Sequence, residues 1–221
     1  PATIRITPQT VHPVLPMRGA YTLFALGLPR GRCRSYVVRM SDVTSLVRDL
    51  AVASSSAAKA PGVFSFEVPD GWQMGRSTFG GLTIAALVRA IEAYADDPTR
   101  TLRSITAELP GPALVGPAEI FVEPVRVGSG QSTIRAKLVQ DGEVRTAGTA
   151  ILARPRAIDA EDFCELVPPT LRAWSELAAV PVSFGGPVFT QHFEYRVDGA
   201  LPFSGGSEAS TQGWVRPRIA G

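Results

Sequence analysis

Gly80 and Gly81 stand directly before an apolar run, in STFGGLTIAALVRAI (77–91). Glycine is a poor helix former, by roughly 1 kcal/mol against alanine, so a pair at the start of a helix needs a reason. Two reasons are open. The first turn of a helix offers free N–H groups and the positive end of the dipole, and bare backbone lets a group that develops negative charge come close. The missing Cβ atoms also allow tight packing of a helix on a sheet. The two are compatible. Polar side chains able to hold a water nearby are Gln140, beside the Asp141-Gly142 turn, and Thr106 and Ser132, within strands. An exposed turn residue and ordinary strand residues are the alternative readings.

Other chemistries have little to draw on. His12 and His192 are the only histidines, and Cys33 and Cys164 the only cysteines, with no CxxC or zinc-ligand spacing. There is no phosphate-binding glycine loop and no dinucleotide fingerprint. No cofactor and no metal are therefore expected, and a reduced, cytoplasmic setting is the default. The longest apolar run is broken by Arg89 and Glu92, so no membrane span is expected, and no secretory signal is legible. The net charge is +2, but residues 1–39 carry Arg5, Arg18, Arg30, Arg32, Arg34 and Arg39 and no acid. The rest is mildly acidic, and no nucleic-acid partner follows.

The elements that must position these residues can be read from periodicity. GVFSFEVP (62–69) alternates Phe64, Phe66 and Val68 against Val63, Ser65 and Glu67, as a strand does. Phe79 to Tyr94 reads as a helix buried on most of its circumference, stopped by Asp97-Pro98. Strands follow at 101–109, 118–127, 131–140 and 143–153, with Asp141-Gly142 as a two-residue hairpin turn. Strand, one apolar helix and an antiparallel meander require a curved sheet around that helix. This is an α+β hotdog fold. Residues 155–187 read as a Pro-rich linker in which TLRAWSEL forms a short helical turn. VFTQHFEYRV from Val188 and TQGWVRPRI read as further strands, the start of a second unit without its helix.

Several motifs in this order resemble the acyl-CoA thioesterase II family and the wider thioesterase-like double-hotdog proteins. They are the FGG helix, LRSITAELPGPALVGPAEI, VRVGSGQSTIRAKLVQDGEVRTAGTAIL, and HFEYRVDGALPF with GWVRPR. The resemblance covers about residues 41–221. It implies hydrolysis of acyl-CoA thioesters to free acid and CoA. Gly80, Gly81 and Gln140 would then be the catalytic candidates. Phe79, Leu82, Thr106, Ser132 and Arg126 would line the substrate, with Arg76, Arg126 and Arg135 offered to the phosphates of CoA. It also implies a homo-oligomer through pairing of hotdogs.

The departures set the alternative. Leu82 and aliphatic residues stand where the thioesterase II branch has glutamines, and Leu109 stands where it has phenylalanine. The family's catalytic Asp, Thr/Ser and Gln come from a second hotdog whose helix lies beyond HFEYRV…GWVRPR, so none can be carried over. A non-catalytic acyl-CoA or protein-binding hotdog module, or an inactive fragment, is the second reading. The expected organisation is an N-terminal extension at 1–39, non-native or disordered, with Met40 as the natural start before a helix capped by Ser41 or Asp42. A first hotdog at 40–154, a linker at 155–187 and an incomplete second hotdog at 188–221 follow.

Overall fold

The computed structural model describes residues 20–24, 35–39, 60–156, 169–182, 185–202, 204–207 and 210–218. Met40 and the helix expected after it lie outside them, as do both cysteines and His12. Within 1–39, β1 (Ala20–Phe24) and β2 (Ser35–Arg39) pair antiparallel.

The first unit runs from β3 (Val63–Val68) through β4 (Gln73–Met74), β5 (Ser77–Thr78), the helix α1 (Gly80–Ala95), β6 (Thr101–Glu108), β7 (Gly116–Val127), β8 (Gln131–Gln140) and β9 (Glu143–Ala153). Five of these strands form one antiparallel sheet in the order β3-β7-β8-β9-β6. Period-two alternation decides which side is buried. Phe64, Phe66 and Val68, then Ile120 and Val122, then Ile134, Ala136 and Leu138, then Ala150 and Leu152 all face inward. Leu87, Ala86, Ala90 and Ile91 of α1 meet them to form one core. Each fully buried Leu or Ile contributes about 1.5–3 kcal/mol, so the sheet holds the helix through this stripe. Asp141 and Gly142 take φ of 52° and 78°, the left-handed pair that a tight β8–β9 hairpin requires.

Two expectations change. Strand 101–108 does not pair with its successor β7; it crosses to the far edge and pairs with β9. The meander proper is β7-β8-β9. The helix is also less enclosed than its composition suggests. Val88 is buried, but Ile84 and Ala85 are half-buried and Ala93 is exposed, because the sheet covers one side only.

Beyond the first unit, Trp174–Glu176 forms the expected short helical turn. Val188–His192 is a 3-10 turn rather than the start of a strand, and β10 (Phe193–Val197) begins after it. β10 pairs antiparallel with β11 (Gly213–Pro217).

Candidate functional site

The N-terminus of α1 carries no side-chain cap. Phe79 occupies the cap position with φ −52° and ψ 121°, and its carbonyl accepts the Leu82 amide at 3.0 Å. The Gly80 and Gly81 amides have no acceptor among the described residues. Two donors of the first turn are thus open, at the end where the dipole favours negative charge. The backbone leading in is fixed: Thr78 N–H donates to Ala113 O and Phe79 N–H to Trp72 O, each at 2.8 Å. Inside the turn, Thr83 Oγ1 donates to Gly80 O at 3.1 Å and Thr146 Oγ1 to Thr83 Oγ1 at 3.0 Å. Both threonines are fully buried, so this pair pins the helix start to β9.

The packing reason for the glycines is visible as well. A Cβ on Gly80 would lie 2.6 Å from Leu109 Cδ1, and one on Gly81 would lie 2.4 Å from the Phe79 ring. These two apolar side chains rest on the bare backbone and rim the open amides. Leu109 is 55% exposed, so the rim itself is reachable from outside.

A second set of aromatics closes one side. Phe189 stacks on Phe79 with centroids 4.1 Å apart and planes 5° from parallel, and Phe193 meets both rings edge-on. Trp72, buried, stacks on His192 at 3.9 Å and 7°. Gly71, at φ 85°, presents its carbonyl to Gln191 Nε2 and to His192 Nε2, each at 2.9 Å. The turn at 188–192 is therefore clasped to the loop at 71–72 and to the start of α1.

The structure brings Phe79, Gly80 and Gly81 together. Gln140 lies at the same end but is not an exposed turn residue. It is buried, its Oε1 accepts Leu114 N–H at 2.9 Å, and its Nε2 donates to Leu114 O at 2.8 Å and Pro117 O at 3.3 Å. Its amide holds the loop before β7 in place. Leu82 is buried in the first turn rather than set on the rim. Thr106 is exposed on the edge strand β6. Ser132 is buried at the opposite end of the sheet, where it accepts a hydrogen bond from Arg100 just beyond the helix C-terminus. Arg126 is exposed beside it on the last turn of β7's register with β8. Arg135 is paired with Glu123 at 3.6 Å. Of the three arginines offered to phosphate, Arg76 sits in the β4–β5 turn on the glycine side, exposed.

Asp97 is not simply solvated. It accepts from Thr99 and pairs with Arg100 at 2.9 Å and Arg154 at 3.2 Å. The Thr99 hydroxyl first, then the Thr99 amide and the two guanidiniums, hold its carboxyl far below the usual aspartate range against the opposing effect of desolvation. This cluster ties the helix C-terminus to the ends of β8 and β9.

The residues that sequence reasoning missed are Leu109, Thr83, Thr146 and Phe189. Leu109 was legible only as a departure from a motif. The Thr83–Thr146 contact joins positions far apart in the chain and leaves no local signal. Among the described residues no group of His, Cys, Asp and Glu is arranged to hold a metal ion, and no helix is long and apolar enough to cross a membrane.

One helix laid on a curved five-stranded antiparallel sheet, with its glycine-bearing end open, is a hotdog fold. Residues 68–153 match the family model described as the acyl-CoA thioesterase N-terminal domain. A search of curated proteins found no match. Among solved structures, the chain is similar to a conserved hotdog-fold protein of unknown function from Alicyclobacillus acidocaldarius, at 23% identity and TM-score 0.68, covering 76% of this chain and 62% of that one. It is also similar to a protein provisionally described as a thioesterase II from Thermobifida fusca, at 19% identity and TM-score 0.55, covering 67% and 53%. The chain thus spans little more than half the length of these relatives. The resemblance read from the ordered motifs is a likeness to the thioesterase-like superfamily, and the first unit carries it.

Proposed function

We propose that the chain acts on acyl-CoA thioesters, hydrolysing them to free acid and CoA as part of a double-hotdog protein in the cytoplasm. The observation that carries this is the pair of open amides at Gly80 and Gly81, rimmed by Leu109 and Phe79. A thioester oxygen set on those amides would be stabilised as negative charge develops, while the acyl group lies against the apolar rim. Arg76 is the exposed arginine on that side for a CoA phosphate. Phe79 acts as wall, and Gln140 supports the mouth by fixing Leu114.

A second reading has its own support. Gln140 has both ends of its amide bonded to loop backbone, so it is not free to orient a water. A module that holds acyl-CoA without turnover fits that bonding. A thiol-release assay with a series of acyl-CoAs, run beside equilibrium binding, separates the two. Hydrolysis predicts free thiol in proportion to enzyme. Binding with no thiol release would leave the module, and neither binding nor release would end both readings.

A further inference from the structure

Phe79 does not stand over Gly81 unaided. Its ring is one face of a near-parallel stack whose other face is Phe189, a residue of the second unit's leading turn. That turn is fastened at a second point by the Trp72–His192 stack and by the two bonds to Gly71 O. Gly186 is packed against Thr190 Oγ1, where a Cβ would come within 3.0 Å, and Thr190 Oγ1 donates to Pro187 O at 2.7 Å, so the turn is tightly wound before it reaches Phe189. Phe189 is half-buried between these anchors.

The walls at the mouth rest on neighbouring backbone atoms. Leu109 lies on Gly80 and Phe79 on Gly81, and adjacent Cα atoms are about 3.8 Å apart. The two sides differ in freedom. Leu109 is the exposed end of a flexible side chain and can turn away, whereas Phe79 is backed by a second ring. An oxygen seated on the two amides puts the first carbon of the acyl group between these walls. A methylene fits there beside a mobile Leu109, but a branch at that carbon meets the edge of a ring held on one face by Phe189.

We propose that Phe189 is a specificity-determining residue of this site: by backing Phe79 it restricts the mouth to thioesters unbranched next to the carbonyl. This rests on the acyl-CoA reading above. It places the determinant on the second unit although the amides belong to the first. Phe189 is a positioning residue, acting on the substrate through Phe79.

The test is equilibrium binding of two carbonyl-bearing, non-hydrolysable 2-oxoalkyl thioethers of CoA, one with a straight chain after the carbonyl and one branched at the first carbon. They are compared on the 221-residue chain, Phe189→Leu and Phe189→Ala, with thermal melting to show that each variant is folded. The native chain is expected to favour the straight analogue at least tenfold. Phe189→Ala should reduce that preference by fivefold or more, and Phe189→Leu should fall between. A merely structural role would weaken both analogues alike and leave their ratio unchanged, which would overturn the proposal. Should Phe189→Ala not fold, an unchanged ratio in Phe189→Leu does the same. Binding without preference in the native chain also overturns it and leaves the acyl-CoA reading intact. No binding of either analogue to any form ends the acyl-CoA reading, and this inference with it.

Discussion

Residues 63–153 and the hairpin 193–217 are built from the same kind of alternating strand, but only the first seals a face. In the first region the apolar side is covered, by a helix whose Leu87, Ala90 and Ile91 are sealed. In the second neither face is sealed, and the polar side carries a network of contacts. Glu194 and Arg196 pair across the ladder with Arg216 and Trp214, so these four share a face. The guanidiniums of Arg196 and Arg216 lie over the ring of Trp174 of the linker, at 4.6 and 4.3 Å. Arg196 Nη1 donates to Trp174 O and Leu177 O, and Trp214 Nε1 to Arg172 O. Burial works against the Glu194 charge, but hydrogen bonds from Arg216 and Arg196 outweigh it and lower the carboxyl below its usual range. The opposite face, with Phe193, Tyr195, Val197 and Val215, meets the first unit at Phe193 and leaves Val215 59% exposed. The same alternation therefore makes a core in one region and an ion-and-aromatic clamp in the other, depending on what the chain supplies to lie on it.

The contrast is tested most severely by truncation. Leu87→Ala should destabilise the protein by about 2–5 kcal/mol in urea unfolding, because a sealed leucine leaves a cavity. Val215→Ala should stay within about 0.5 kcal/mol, as an exposed position does. Equal effects would mean that the hairpin has a core of its own. Next in size, Trp174→Ala removes two cation–π contacts worth about 0.5–1 kcal/mol each when exposed. Amide exchange should rise roughly five- to thirtyfold in β10 and β11 and stay unchanged at Ile134 and Leu138, following the loss of that energy.

A smaller effect separates the two glycines. Gly80→Ala pushes only on the flexible tip of Leu109 and should be within about 0.5 kcal/mol of neutral. Gly81→Ala pushes on a ring backed by Phe189 and should cost about 1–2 kcal/mol, with the Phe79 stack disturbed in aromatic NMR signals. Similar melting temperatures for the two variants would contradict the idea of one yielding and one rigid wall. The last effect is a pH dependence at Asp97. Its folded carboxyl titrates below the ordinary value of 3.8, so its contribution is full above that value and is lost as pH falls through the folded pKa. Asp97→Asn should flatten stability against pH below about 4, as read by urea unfolding across that range.

The strands of the first unit were legible because one face of each is sealed. Phe64, Phe66 and Val68 read as an inward row from their spacing alone, and so do Ile134, Ala136 and Leu138. The helix was legible from its apolar run and its Asp-Pro stop. Strand order was not, because alternation tells which side of a strand is buried and nothing about its neighbour; Thr101–Glu108 reads the same beside β7 or β9. Gln140 is buried where its position in the sequence reads as exposed. A glutamine next to Asp-Gly looks solvated, and only the fold shows Leu114 brought across to meet it. Residues 188–192 read as strand from their sequence, but Phe189 and His192 pack on Phe79 and Trp72 rather than joining a ladder.

The crossing of β6 to the far edge also orders events in time. β3 waits for β7, β6 waits for β9, and α1 waits for the sheet made by all of them. At a synthesis rate of about 5–20 residues per second, β3 and β6 emerge seconds before their partners β7 and β9. The β7–β8 and β8–β9 hairpins, joined by short turns, can close as soon as they appear. The nascent chain therefore carries a bare apolar helix until its last strand is made, and pulse-labelled hydrogen exchange should find the β8–β9 hairpin protected before β3 and β6.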